Sequence, residues 1–396
     1  MGRSRVSRVH VVLPGDVDDP RSPSGGNTYG RRVARELDTL GWTVQRHRVP
    51  GTWPRPSAAE AAGLARLLAA IPDAEIVLLD GLVACGVPEA VAPHAGRVRV
   101  IVLVHLPLAD EVGLPADVAA DLDARERATL RAADAIVVTS PAAARRLAGV
   151  TPPADADGAA GNGVLPPVYV AEPGTDPAPR AVGTDGASAL LCVAAVTPVK
   201  GHDVLVDALA AVADRPWTCV CAGPLDRAPE HVADVRRRIA DAGLADRVHL
   251  VGPLDADARD AAYASADLAV LASRTETYGM AAAEALARGL PLIATTGGGL
   301  PDTVGHAPDG TPPGLLVQPD DAAGLAAALR RWFDEPALRA DLRTAAAERA
   351  AGLPSWSATA TAVAAAFTPD AGPGDGVVPQ PRRSDDHLTR GRAGAT

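Results

Sequence analysis

The 396 residues predict an α/β chain of two doubly wound domains whose parallel sheets face a shared cleft. Three observations lead there. The length exceeds one average core and suits two domains of roughly 150–200 residues each. Short runs of Val, Ile and Leu recur along the chain, continuous rather than alternating, as strands buried on both faces must be. Segments of helical periodicity separate them, and strand–helix alternation of this kind implies parallel pairing. Aromatic residues make up only 3% of a chain that is 47% hydrophobic, so Ala, Val and Leu build the core.

In the first half, strands are expected at 9–13, 44–47, 75–79, 98–104 and 135–139. Helices at 28–40, stopped by Gly41, and at 58–70, 115–132 and 141–148 lie between them. Residues 151–186, dominated by Pro, Gly and Asp, break the pattern and read as the connection, with one last strand at 168–170. Alternation then resumes with strands at 190–196, 218–222, 248–251, 268–271, 292–294 and 315–317. Its helices fall at 202–213, 228–242, 257–263, 322–333, 336–351 and 356–367, with a further alanine-rich one opened by Tyr278 and Gly279. The domains expected are 1–170 and 188–352, joined by a linker at 171–187 and followed by a C-terminal helix at 353–368. Residues 369–396 lack periodicity and are expected to be a disordered tail.

Composition narrows the partners. A net charge of −10 argues against nucleic acid. The charge is uneven: residues 1–150 carry 18 Arg against 17 acids, and the remainder holds 20 basic residues against 31 acids. The near-neutral first domain is the half suited to a weak peripheral contact with an anionic membrane face. No run approaches the roughly 20 apolar residues that span a bilayer, and the opening residues read as a first strand rather than a signal peptide. The expected location is cytoplasmic, with the inner membrane face as the place of any peripheral contact. Cys85, Cys192, Cys219 and Cys221 lie in apolar runs without metal-ligand spacing, so buried free thiols are expected and no metal. Of 38 basic residues, 37 are Arg, and the single lysine is Lys200. A compact ammonium kept at one place makes Lys200 the first candidate for a phosphate contact.

The other candidates follow strands. Gly25 and Gly26 close a long loop before a helix, where the backbone can approach a ligand and free amides favour an anion. Neither the dinucleotide nor the Walker glycine spacing occurs. His105 ends an apolar strand and points at the cleft, either as a hydrogen-bonding group for a sugar or as a structural histidine. His202 reads as cover for a helix start. Glu276 and Glu284, eight apart, flank the helix opening, and the apolar surroundings of Glu284 demand a partner for its carboxylate. A ribose, whose paired hydroxyls can both donate to one carboxylate, would serve. The segment from Ser273 to Gly299, including its three glycines, reads as one ligand-binding corner.

The stretch ETYGMAAAEALARGLPLIATTGGGLPD resembles the E-x7-E signature of retaining glycosyltransferases of family 4. SGGNTYGRRVARELDTLGWTV, VHLPL, AIVVTSPAAARRL, VAEPGTDPAP, VTPVKGHDVLVDALA and GLLVQPDDAAGLAAAL match the same family in order, over residues 8–350. The resemblance implies the GT-B architecture of two Rossmann-like domains, with a final helix crossing back to the first. It implies a metal-independent hexosyltransferase without cofactor, using a nucleotide diphosphate sugar donor and a glycan, lipid or small-molecule acceptor. Carried over by position, Gly25 and Gly26 would face the donor diphosphate and the acceptor, and His105 the reaction centre. Lys200 would bind the diphosphate, Glu276 the sugar hydroxyls, the backbone at Tyr278, Gly279 and Met280 the sugar and phosphates, and Glu284 the ribose. The family's usual arginine five residues before the lysine is Ala195 here, and Arg274 is the candidate to compensate for it. A nucleotide-sugar epimerase on the same architecture, or a non-catalytic nucleotide-sugar binder, are the alternatives.

Overall fold

The computed structural model describes residues 8–19, 24–149 and 165–368. The expected tail at 369–396, and the connection up to residue 164, lie outside the described residues. Twelve strands are described: β1 Arg8–Pro14, β2 Thr43–Val49, β3 Ile76–Asp80, β4 Arg99–Val104, β5 Ala135–Val138 and β6 Val168–Val170, then β7 Ala189–Val193, β8 Thr218–Ala222, β9 Val248–Gly252, β10 Leu268–Leu271, β11 Leu292–Thr295 and β12 Gly314–Val317. The helices of the first half are α1 Gly25–Thr39, α2 Ala58–Ala70, α3 Gly81–Ala84, α4 Pro88–Val91, α5 Ala116–Ala132 and α6 Pro141–Ala148. Those of the second are α7 His202–Ala210, α8 Pro229–Asp241, α9 Ala256–Ser265, α10 Met280–Ala287, α11 Leu300–Val304, α12 Ala322–Asp334, α13 Pro336–Arg349 and α14 Trp356–Ala365.

The strands form two six-stranded sheets of order β2-β1-β3-β4-β5-β6 and β12-β11-β10-β7-β8-β9. Every pairing is parallel. Apolar residues cover both faces of the inner strands, which is why these read as unbroken apolar runs, whereas the edge strands β2 and β9 are partly exposed. In β1, Val12 packs with Leu64, Val77 and Val102 on one side, while Val9, Val11 and Leu13 pack with Tyr29, Leu37 and Ile101 on the other. The second sheet is sandwiched in the same way. The order of strands reverses direction between β1 and β3 in the first sheet and between β7 and β10 in the second, and ligands bind outside the carboxyl ends of strands at such points.

The last helix belongs with the first sheet. Ser355 caps α14 through the Ala358 amide. Trp356 meets the Tyr29 ring edge-on, 5.9 Å between centroids, and Phe367 meets Trp42 at 4.9 Å. Arg99 donates to the Ala366 carbonyl at 3.0 Å, and Thr359 Oγ1 to the Glu172 carbonyl at 2.7 Å.

Several elements differ from expectation. α1 begins at Gly25 rather than residue 28, because Ser24 accepts from the Asn27 amide as its N-cap. The double glycine is therefore the first turn of a helix and not the end of a loop. β7 ends at Val193 rather than 196, and the chain turns away so that Ala194 and Ala195 line the cleft. α3, α4 and α11 were not anticipated; at four or five residues they show no periodicity.

Candidate functional site

A cleft of about 360 Å³ lies between the carboxyl ends of the two sheets. From the first sheet it is lined by Ser24, Gly25, Gly26, Thr28 and Tyr29 after β1, His105 after β4 and Thr139 after β5. From the second come Ala194, Ala195 and Lys200 after β7, Arg227 after β8, Arg259 in the first turn of α9, and Glu276 to Ala281 and Glu284 after β10. Of the residues expected at the site, all but Arg274 line this one cleft.

Lys200 ends a 3-10 turn, Pro198–Lys200, and Gly201 behind it takes a left-handed conformation that starts α7. The Lys200 ammonium donates to Glu276 Oε1 at 2.7 Å, and Ser273 Oγ donates to the same oxygen at 2.9 Å. Both side chains are partly exposed, 24% and 16%. An ammonium has three N–H groups, so one bond to Glu276 leaves two for a ligand. Lys200 follows β7 and Glu276 follows β10, the strands on either side of the switch point.

Glu276 is held from behind by the three glycines. Gly299 N donates to the Glu276 carbonyl at 2.7 Å, and Gly298 bridges Glu276. A Cβ on Gly297, Gly298 or Gly299 would land 2.4 Å or closer to the carbonyls of Arg274, Glu276 or Thr277. This corrects the sequence reading: the triple glycine lets two backbones approach and does not line the cleft.

Gly279, at φ +92, starts α10, and the cleft is lined by Tyr278, Gly279 and Met280 at its N-terminus. Glu284, one turn on, accepts from the Tyr263 hydroxyl at 3.1 Å. The Tyr278 hydroxyl is buried with no partner among the described residues, and burial pushes it up from the ordinary phenol range. Across the cleft, Gly25 and Gly26 open α1. A Cβ at Gly25 would stand 3.3 Å from Met280 Sδ, and one at Gly26 3.4 Å from the His105 ring. The two walls thus approach closely where side chains are absent. His105 Nε2 lies 3.3 Å from Asp80 Oδ2, with Asp80 almost fully buried and also accepting from the Leu82 amide. The N-termini of α1 and α10 both open on the cleft, which favours an anion between them.

Arg274 does not do what was expected of it. Its guanidinium is bonded to Asp203 at 2.8 and 3.2 Å and paired with Asp320 at 2.7 Å, away from the cleft. The cations that do line the cleft beside Lys200 are Arg227 and Arg259, and Arg259 Nε is buried without a protein partner among the described residues. Sequence reading missed both. Their only signal was position, each shortly after a strand, and 37 arginines hide two.

Comparison with known proteins follows the same lines. Residues 180–349 match the family described as Glycosyl transferases group 1. Among curated relatives, a D-inositol 3-phosphate glycosyltransferase of Geodermatophilus obscurus is 34% identical over 191 residues, 46% of this chain and 41% of the relative. That of Thermobispora bispora is 34% identical over 223 residues, 51% of this chain and 50% of the relative. The chain spans about two fifths to one half of the length of these relatives. Among solved structures, sucrose-phosphate synthase from Thermosynechococcus elongatus superposes with a TM-score of 0.71 at 22% identity, covering 91% of this chain and 98% of that one. Anabaena Alr3699/HepE, crystallised with UDP and glucose, gives 0.67 at 17% identity over 92% and 99%. The fold is the two-Rossmann-domain GT-B architecture.

Proposed function

We propose that this chain, a group 1 glycosyltransferase by its second half, moves a hexose from a nucleotide diphosphate sugar to an acceptor hydroxyl, with retention and without a metal ion. One observation carries the reading. Lys200 and Glu276 are bonded to each other at the switch point of the second sheet, and share one cleft with Glu284, His105 and the opening turns of α1 and α10. That set is suited to a ligand with hydroxyls at both ends and negative charge in the middle.

In this reading the ribose donates to Glu284, which Tyr263 already holds in place. The diphosphate takes the two remaining N–H groups of Lys200 and the amides at the starts of α1 and α10. The sugar hydroxyls donate to the free oxygen of Glu276. As the sugar–phosphate bond breaks, negative charge grows on the leaving phosphate, and fixed donors aimed there lower the barrier. Glu276 already accepts from two donors through Oε1, which makes it a grip rather than a nucleophile. The acceptor hydroxyl attacks from the leaving-group side and passes its proton to the departing phosphate oxygen, so configuration is retained. His105, fixed by Asp80, meets the sugar near the reacting carbon. Alr3699/HepE, crystallised with UDP and glucose, supports a donor of this class. The acceptor is a glycan, a lipid or a small molecule. A cytoplasmic location accompanies this reading; among the described residues no helix is long and apolar enough to cross a membrane.

A thermal-shift series with uridine, guanosine and adenosine diphosphates and their sugars tests the donor. A true donor at ~100 times its dissociation constant adds roughly 2.7 kcal/mol of stability. Lys200→Ala is expected to lower turnover by on the order of 10²–10³ while the protein stays folded. No shift with any nucleotide, or full turnover in the variant, overturns the proposal.

A further inference from the structure

Behind the cleft, and not used by the proposed reaction, three side chains of metal-ligand type converge in the core of the second half. Cys192 on β7 and Cys221 on β8 are paired in register, and His202, the first residue of α7, covers them. Each of the three is 1% exposed. One donor atom of each lies within 4.8 Å of the other two. Cys192 Sγ is 3.7 Å from His202 Nε2, and a fourth group, Cys219 Sγ, is 3.9 Å from Cys221 Sγ. The other imidazole nitrogen, His202 Nδ1, is buried with no partner among the described residues.

We propose that Cys192, His202 and Cys221 form a closed site for a soft d¹⁰ cation, Zn²⁺ or Cu⁺, with Cys219 as the nearest additional thiol. The donor set is the first reason. Thiolate and imidazole together select these ions over magnesium or calcium, which take oxygen. Spacing is the second. Bonds of about 2.3 Å to sulfur and 2.0–2.1 Å to nitrogen hold tetrahedral ligand atoms about 3.5–3.8 Å apart. The Cys192–His202 separation of 3.7 Å is already close to that, and the three donor atoms all lie within 4.8 Å of one another, so a small inward shift closes the set. Burial is the third: two thiols and an imidazole, each 1% exposed, meet in a dry core where one shared ion would satisfy all three donors at once. The site has no side open to solvent, so the ion braces structure and takes no part in chemistry. It ties β7, β8 and the start of α7 together, and His202 follows directly on Lys200 and Gly201. The ion therefore steadies the loop that carries the only lysine. Uptake releases the thiol protons, so occupancy falls as pH falls.

The test uses the full chain expressed in zinc- or copper-supplemented medium and purified under reductant without chelator. Plasma mass spectrometry then counts zinc and copper per chain. Wild type is expected to hold one ion per chain, and its identity distinguishes Zn²⁺ from Cu⁺. The Cys192→Val/Cys221→Val variant, which keeps the core apolar and similar in volume, is expected to hold none. Wild type unfolded, stripped and refolded with Cd²⁺ should show thiolate-to-cadmium charge-transfer absorption, and metal-loaded protein should melt above stripped protein. If the variant fails to fold, the loaded and stripped wild-type samples decide by themselves. Metal content no higher in wild type than in the variant, or no cadmium band together with identical melting of loaded and stripped protein, overturns the proposal and leaves a packed thiol–imidazole core. None of these measurements depends on the donor or on turnover.

Discussion

Arg259, and not Arg274, stands at the cleft where the sequence suggested Arg274. A guanidinium already forked onto Asp203 and paired with Asp320 has no N–H directed at a ligand, and moving it would strand two carboxylates. The hydrogen bond to Asp203 holds Arg274 above its ordinary range, consistent with a structural pair. Arg274→Ala is therefore expected to leave donor affinity near normal and to cost about 1–2 kcal/mol of stability, read from urea unfolding. Arg259→Ala should do the reverse. It lines the cleft and its Nε is without a partner among the described residues, so donor KM is expected to rise about tenfold with little change in the melting temperature. An Arg274→Ala variant that loses donor binding while remaining folded would restore the original assignment.

At the scale of elements, a buried carboxyl on α5 holds the loop after β4. Glu126 on α5 accepts from the Leu108 amide at 3.3 Å, three residues beyond His105, and is 4% exposed. Burial pushes its carboxyl up to about 7. The folded protein thus prefers the protonated form. Stability from this group is fully present below the ordinary carboxyl range and is lost as pH rises through about 7, because the unfolded chain gives up the proton earlier. Glu126→Gln keeps an acceptor for Leu108 but cannot ionise. It is expected to match wild type below pH ~4 and to exceed it by about 3 kcal/mol at pH ~8. Parallel melting curves across that range would refute the assignment. Elements also mark what the sequence could reveal. Strand positions were legible because both faces are buried, and the Lys200 and Glu276 loops because they follow strands. The start of α1 was not: two glycines resemble a loop until Ser24 is seen capping them. The grouping of Cys192, His202 and Cys221 was invisible too, since two strands and a helix from separate stretches supply it.

For the whole molecule, the decisive connection is the return of α14 to the first sheet. Trp356, Val363 and Phe367 pack in the same cluster as Val9, Tyr29 and Ile101. Trp356→Ala should cost about 3–5 kcal/mol in the first half while leaving nucleotide-induced stabilisation of the second half detectable. Separate unfolding transitions, followed with and without a nucleotide diphosphate, would show it; a single unshifted transition would not fit. The same helix sets an order of events during synthesis. The face of α1 that receives it emerges from the ribosome early, whereas residues 356–367 follow the whole second half. At ~5–20 residues per second, the roughly 320 residues between α1 and α14 leave that face uncovered for about 15–65 seconds. Through that interval the nascent first half is a client for any holdase that recognises exposed apolar surface. Moving Ser355 and α14 ahead of β1 by circular permutation would shorten the exposure.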